Sequence, residues 1–124
     1  MIKYMKGFGS FSVDDTEKAK VFYGGLLGLS VTENHGMLEV ALPGGGNMLL
    51  YPKPDHRPAT FTVLNFKVTQ LEKVVARLKS EGVPFEHYAD PETDENNIHH
   101  RGNHRVAWFR DPAGNILSVM EGEM

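Results

Sequence analysis

The sequence FKVTQLEK at residues 66–73 repeats the pattern of FSVDDTEK at residues 11–18. Each stretch is typical of a strand that ends where a helix begins, because an apolar alternation gives way to a polar capping residue with Glu three positions later. The two copies lie 55 residues apart. This spacing predicts one structural module that is present twice.

A second repeated pattern lies downstream in each copy. Residues 38–41 and 46–50 are echoed by residues 106–109 and 114–118, at an offset of 68 residues. The larger offset predicts an insertion between the helix and the last two strands of the second copy. We assign this insertion to the polar stretch from Glu92 to His104. We expect features that are specific to this protein to lie partly in that loop.

Both copies are predicted to have the same element order, a strand, a helix and three further strands. In the first copy the pattern indicates a strand at 4–13, a helix from an Asp14 cap to about 27, and strands at 30–33, 37–42 and 47–51. In the second copy it indicates a strand at 60–68, a helix capped by Thr69, and strands at 84–88, 105–110 and 115–121.

Three prolines mark a stiff connection between the copies, since proline resists both helix continuation and central strand pairing. They are Pro52, Pro54 and Pro58. We therefore expect one domain over residues 1–124, with module one at about 1–52, a linker at about 52–59 and module two at about 60–124. A chain of 124 residues is long enough to bury a single core.

Composition argues against several classes of partner. The net charge is −3 and both signs are interspersed, so no basic face is expected that would neutralise nucleic acid or anionic lipid. The apolar runs are too short to span a bilayer, which predicts no membrane association. The chain has no cysteine and no evident signal peptide, and a cytoplasmic location is the expectation.

Short motifs in order along the chain resemble those of the vicinal oxygen chelate superfamily, which includes glyoxalase I, bleomycin resistance proteins, fosfomycin resistance proteins and extradiol dioxygenases. The motifs are Val13-Asp14-Asp15, Phe22-Tyr23, Leu27-Gly28, Gly82-Val83 and residues 108–115. The resemblance implies an α+β fold of two tandem βαβββ modules, whose open curved mixed sheet forms a cup that holds a ligand or a metal ion. It also implies a homodimer, since a second chain often completes the cup.

Enzymes of this superfamily place metal ligands on the first and last strands of each module. Carried onto this chain, the resemblance points to Phe8, Leu50, Val63 and Ser118. None of the four is His, Asp or Glu, the side chains that hold divalent cations. We therefore expect no metal and no cofactor, and an apolar cup floor that lines a ligand pocket. The alternative is that these side chains fill a small core and admit no ligand.

Histidines crowd the inserted loop, and two of them suggest a role in ligand contact. The spacing of His100 and His104 would bring two imidazoles to one helix face, but Gly102-Asn103 between them argues against a helix. One interpretation is a lid whose imidazoles, with Asp94 and Glu95, contact a bound ligand or serve as acid and base. A solvated loop is the other.

Three further residues are candidate ligand contacts. Trp108, the single tryptophan, has a ring that could stack on a planar ligand, although a core or dimer role is equally open. Arg110 is in phase with it and could pair with an anionic group, or form a surface salt bridge. Asn65 follows Val63 on one face of its strand and would need hydrogen-bond partners if buried.

These observations favour a metal-independent binding protein for a small apolar or aromatic molecule. A first alternative is an enzyme of the lyase, isomerase or dioxygenase type, with a displaced metal or an acid/base pair drawn from Glu39, His100 and His104. A second alternative is a structural or partner-binding module whose cup is closed. The sequence leaves open whether a reaction is catalysed.

Overall fold

The computed structural model describes residues 1–123 and divides into two compact units. The first unit is Met1–Pro58 and the second begins at Ala59. The first unit contains β1 (Gly9–Val13), α1 (Thr16–Lys20), a π-helical turn (Val21–Leu26), β2 (Val31–Asn34), β3 (Met37–Ala41) and β4 (Asn47–Pro52). The second contains β5 (Thr62–Lys67), α2 (Leu71–Ser80), β6 (His99–Arg101), β7 (His104–Arg110) and β8 (Ile116–Glu121).

Each unit is built on one four-stranded mixed sheet. The strand order is β1-β4-β3-β2 in the first unit and β5-β8-β7-β6 in the second. In both, the first strand pairs in parallel with the last, and the remaining pairs are antiparallel. The predicted α+β fold of two repeated units with open mixed sheets is confirmed.

The first helix begins one residue later than the capping pattern suggested. Asp15, rather than Asp14, is the N-cap, and its carboxylate accepts hydrogen bonds from the backbone N–H groups of Glu17 and Lys18. The helix then widens into the π-helical turn, where Leu27 N–H donates to Phe22 O at 2.9 Å. This wide turn accommodates the two glycines at 24 and 25, which disfavour a regular α-helix.

The second helix is capped from a distance, and the prediction of Thr69 as its N-cap is wrong. Gln70 occupies the N-cap with a left-handed backbone (φ 56°) and no side-chain cap. Instead, the carboxylate of Glu121 on β8 accepts hydrogen bonds from Gln70 N–H at 3.1 Å and Leu71 N–H at 3.0 Å. A strand residue thus satisfies two of the free backbone N–H donors at the start of the helix.

The segment after α2 differs from the prediction of a strand at 84–88. Phe85 makes a single bridge to Phe109, and Glu86 N–H donates to Trp108 O at 2.9 Å, but no regular strand forms. The strand lies instead at β6, inside the stretch expected to be a loop. Because β6 pairs with the first half of β7 and residues 84–86 with the second half, two segments share one strand edge.

The register of the two sheets corrects the offset of the downstream repeat. Phe11 pairs with Leu50, whereas its counterpart Phe66 pairs with Val119. Leu50 therefore corresponds to Val119, and it is Leu49 that corresponds to Ser118. A shift of one residue moves a side chain to the other face of a sheet.

The helix-facing side of the first sheet forms that unit's core. The rings of Phe11 and Tyr23 lie 6.2 Å apart, which places Phe11 toward the helix. Leu50 and Leu38 share its face through the strand register and are both 0% exposed. Leu50 is thus a core residue beneath the helix. Across residues 1–123, no helix is long and apolar enough to cross a membrane.

Candidate functional site

The second sheet has one face toward α2 and one face away from it. Arg105 on β7 forms ion pairs with Glu72 on α2 and with Glu121, which fixes the side of β7 that faces the helix. Trp108 lies an odd number of residues further along the strand, and therefore on the opposite side. Its register partner is Ser118. We call this side the helix-free face of the second sheet.

Three aromatic rings gather on the helix-free face. Trp108 and Tyr88 meet edge to face with centroids 5.3 Å apart, and the centroid of the His99 ring lies 6.1 Å from that of Trp108. We call Tyr88, His99 and Trp108 the aromatic cluster. All three residues are half-buried. The Tyr88–Trp108 contact is an arrangement that aromatic pairs prefer, and the His99 ring is tilted by 35° to the ring of Trp108.

Thr93 fixes the backbone of Tyr88 through hydrogen bonds. Its hydroxyl accepts a hydrogen bond from Tyr88 N–H at 2.9 Å, and Thr93 N–H donates to Tyr88 O at 3.0 Å. The same hydroxyl lies 3.0 Å from Nδ1 of His87. Thr93 is only 4% exposed. Its bonds explain how a segment without regular strand structure can present a ring at a defined position.

His99 is oriented by a backbone carbonyl. Its Nδ1 donates to Glu92 O at 2.7 Å. Because a carbonyl oxygen can only accept, Nδ1 carries the hydrogen, and Nε2 of the neutral ring is then an acceptor. The aromatic cluster therefore includes one hydrogen-bond acceptor as well as ring surface.

Burial changes the ionisation of the tyrosine in the cluster. Desolvation by burial raises the pKa of Tyr88 above its ordinary value, and the negative charge of Glu86 raises it further, while Arg110 opposes the shift. The phenol therefore stays protonated at neutral pH and serves as a hydrogen-bond donor.

Ser118 and Asn65 form a polar pair on the same face. Ser118 Oγ donates to Asn65 Oδ1 at 2.6 Å across the parallel β5–β8 pair. Ser118 is 0% exposed, whereas Asn65 is exposed. Asn65 is therefore not a buried amide, and solvent can reach its side chain. Val63 is half-buried at an irregularity where the β5 register shifts.

The two histidines predicted to act together are separated by the β6–β7 hairpin. His100 pairs with Arg105 and shares its side of the sheet, where Nε2 of His100 lies 2.8 Å from Oδ2 of Asp94. His104 lies on the helix-free face, and its Nδ1 is buried without a hydrogen-bond partner in the described chain. The structure therefore does not place these imidazoles side by side.

Asp94 organises the turn before β6. Desolvation raises the pKa of its carboxyl, but the hydrogen bonds from Ile98 N–H, His100 and Asn96 N–H outweigh it, so the net pKa is lowered. The Asp94 carboxylate therefore has a structural role, because it accepts hydrogen bonds from the turn that follows it in the chain. This contact explains why the segment is ordered.

Phe8 and Arg110, two further predicted residues, each have partners of their own. Phe8 precedes β1 and is 57% exposed, with the ammonium of Lys6 5.8 Å from its ring centroid. Arg110 is on the helix-free face, but its guanidinium already forms an ion pair with Glu86 and donates a hydrogen bond to the carbonyl oxygen of Gly114.

The positions at which the superfamily holds metal do not fit a divalent cation here. Phe8, Val63 and either Leu49 or Leu50 offer no donor atom, and Ser118 offers one hydroxyl that already donates to Asn65. Over residues 1–123, no group of three or more His, Asp or Glu side chains is arranged to hold a metal ion.

Sequence reasoning missed Tyr88, Thr93 and His99 as candidate site residues. Tyr88 lay at the end of a predicted strand, and Thr93 and His99 lay in the predicted insertion. One signal pointed to His99: in strand β6 it alternates with His100 and faces the same side as Trp108 through its partner Val106. That signal depends on recognising β6 as a strand.

With this geometry in hand, comparison with known proteins identifies the family. Residues 7–119 match the family model of the glyoxalase/bleomycin resistance protein/dioxygenase superfamily. The chain belongs to this superfamily. The predicted resemblance is thereby confirmed for nearly the whole chain. No curated protein sequence matches the chain closely enough to add a nearer relative.

Solved structures of the superfamily share the fold at low identity. The fosfomycin resistance protein FosX from Listeria monocytogenes has a TM-score of 0.74 at 16% identity, covering 100% of this chain and 97% of that one. TnmS3, an antibiotic binding protein from Streptomyces sp. CB03234, has a TM-score of 0.69 at 24% identity, covering 98% and 100%. A lactoylglutathione lyase from Agrobacterium tumefaciens has 0.69 at 20%, covering 96% and 95%. These likenesses establish the fold.

Proposed function

We propose that this chain binds a small apolar or aromatic molecule, without a metal ion, on the helix-free face of its second sheet. The observation that carries the proposal is the aromatic cluster. Tyr88 and His99 lie beside Trp108 at fixed angles and are themselves anchored through Thr93 and the Glu92 carbonyl. Rings that are positioned before binding lose little conformational entropy when a planar ligand stacks on them.

The polar groups around the cluster supply orientation. Asn65 is exposed on the same face of the sheet as Trp108 and accepts a hydrogen bond from the buried Ser118. Tyr88 offers a protonated phenol, and His99 offers an acceptor nitrogen. An apolar surface with a few directional polar groups is typical of small-molecule sites. The ligand is therefore expected to have a flat apolar body with at least one hydrogen-bonding substituent.

Metal independence is supported by the donor set at the superfamily positions, which has a single hydroxyl and no imidazole or carboxylate. The names of two structural relatives, an antibiotic binding protein and a fosfomycin resistance protein, support small molecules as the class of ligand.

We also propose the cytoplasmic location and the homodimer expected from sequence. Cell fractionation would test the location, and light scattering would test the oligomeric state.

The test is a thermal-shift screen of EDTA-treated protein against planar aromatic compounds, repeated with added Zn²⁺, Ni²⁺ and Mn²⁺. Ligand at 100 times its Kd stabilises the folded state by about 2.7 kcal/mol, so a binder raises the melting temperature by several degrees. We expect the same shift with and without metal. Recovered ligand with unchanged mass and an unchanged NMR spectrum supports binding, and a product that differs in either supports the enzyme alternative.

Variants locate the site. Tyr88→Ala removes one ring of the cluster and is expected to weaken binding about tenfold or more. Tyr4→Ala removes a tyrosine that is 83% exposed and serves as the matched control. Equal loss in both variants, or a shift that requires metal, would contradict the proposal.

A further inference from the structure

The first sheet carries a single charged side chain on its own helix-free face. The register places Glu39 of β3 opposite Thr32 of β2 and Leu49 of β4. These residues lie on the side away from Phe11 and Leu50, the residues that face the helix. The other described strand residues of this face are uncharged: Ser10, Ser12, Asn34, Met37, Ala41, Asn47 and Tyr51.

Glu39 is an unusual residue for this position. Glutamate is disfavoured in strands, and β3 is an interior strand with neighbours on both sides. The residue is half-buried beside an aliphatic neighbour, where a carboxylate loses part of its hydration. Its position corresponds in the second sheet to that of Trp108, because Leu49 corresponds to Ser118.

No basic side chain of the described residues compensates this charge. The ion pairs of the first unit join Lys20 to Glu33 and Lys53 to Asp55. Glu33 neighbours Glu39 in space but lies on the helix-facing side of β2. The carboxylate of Glu39 is therefore left with its acceptor capacity unused within residues 1–123.

We propose that Glu39 recognises a basic nitrogen, so that the helix-free face of the first sheet binds apolar or aromatic compounds that carry a protonated amine. A carboxylate on an otherwise uncharged face, with Leu49 opposite and Tyr51 two residues along β4, matches such a molecule. The carboxylate forms a charge-assisted hydrogen bond with the ammonium, and Leu49 and Tyr51 contact the apolar body. The residues of this second candidate site belong to the first sheet alone, and the inference does not depend on the aromatic cluster of the second sheet.

The test uses pairs of planar probes of similar shape and different charge, such as 9-aminoacridine, protonated at pH 7.5, and neutral acridine, which lacks the amino group. Affinity is measured by probe fluorescence or calorimetry for the native chain, for Glu39→Gln and for Glu33→Gln. Glu39→Gln keeps the size and hydrogen-bonding shape of the side chain but removes its charge. Glu33→Gln removes a neighbouring charge on the other face and serves as the matched control.

We expect the protonated probe to bind more tightly than its neutral partner, and Glu39→Gln to weaken only the protonated probe, by roughly 10- to 100-fold. Glu33→Gln should leave both affinities within about twofold of the native values. Equal binding of both probes, unchanged by Glu39→Gln, would overturn this inference while the proposed function stands. No saturable binding by any probe pair would overturn both.

Discussion

The carboxylate of Glu121, on the last strand, accepts a hydrogen bond from the backbone N–H of Leu71, the first residue of α2, at 3.0 Å. A second bond comes from Gln70 N–H. Arg105 on the neighbouring strand pairs with the same carboxylate and with Glu72 of the helix. One side chain thus joins the start of α2 to β8, an interior strand of the second sheet.

Glu121→Gln is expected to lower the melting temperature by a few degrees. The hydrogen bonds from Leu71 and Gln70, and then the charge of Arg105, hold the pKa of Glu121 below its ordinary value. A lowered folded-state pKa contributes stability that is fully present above the unfolded pKa of about 4.3. That stability is lost as the pH falls through the folded pKa.

Melting curves measured from neutral pH down to pH 3 test this linkage. The difference between Glu121→Gln and the native chain should shrink as the pH falls below about 4. Glu81→Gln changes an exposed carboxylate in an i,i+4 pair with Arg77 and should have little effect. A difference that stays constant over the whole pH range would show that the charge of Glu121 does not cap the helix.

The strand register predicts that truncation of two adjacent leucines to alanine lowers the free energy of unfolding by different amounts. Leu50→Ala opens a cavity in the core of the first unit and should reduce the free energy of unfolding by about 2–5 kcal/mol. Leu49→Ala truncates a half-buried side chain on the helix-free face and should cost less than about 1.5 kcal/mol. Urea denaturation measures both, and the reverse order would contradict the register.

Thr93→Val tests how the aromatic cluster is positioned. The substitution keeps the shape of a buried side chain but leaves Tyr88 N–H without its acceptor, which should cost about 1–3 kcal/mol. We also expect weaker near-ultraviolet circular dichroism, because Tyr88 and Trp108 lose their fixed angle. Thr60→Val, at an exposed position, should change neither property; equal effects in both variants would argue against the anchoring role.

The repeated modules could be predicted from sequence because their signals are local. The strands around residues 31–41 and 47–52 follow alternation and turn residues, and the prediction placed them within about one residue of β2, β3 and β4. The same reasoning found α2, whose residues Leu71, Val75 and Leu78 are buried as a stripe. Local periodicity was sufficient for these elements.

The errors arose where a distant partner decides the structure. Thr69 and Glu72 have the spacing of a capping box, but Glu121 reaches the helix start from 50 residues away. Residues 84–88 have the composition of a strand, yet β6 takes the pairing positions along the first half of β7. Sequence alone does not rank such competing partners.

The candidate site was predicted only in part for the same reason. Trp108 and Ser118 were identified from their motifs, and the structure places them opposite each other. Leu50 was assigned by an offset that is one residue short, and in a strand this error exchanges a core position for a surface one. Tyr88 enters the cluster through the bonds of Thr93, which no local pattern reveals.

The most direct test of metal-independent ligand binding is a fluorescence titration of EDTA-treated protein, because Trp108 is the only tryptophan of the chain. We predict that a planar aromatic ligand quenches its emission saturably, with the same Kd after addition of divalent metal and with a Kd about tenfold higher in Tyr88→Ala. Emission that is unchanged by every ligand of the panel, or quenched only when metal is present, would contradict the account.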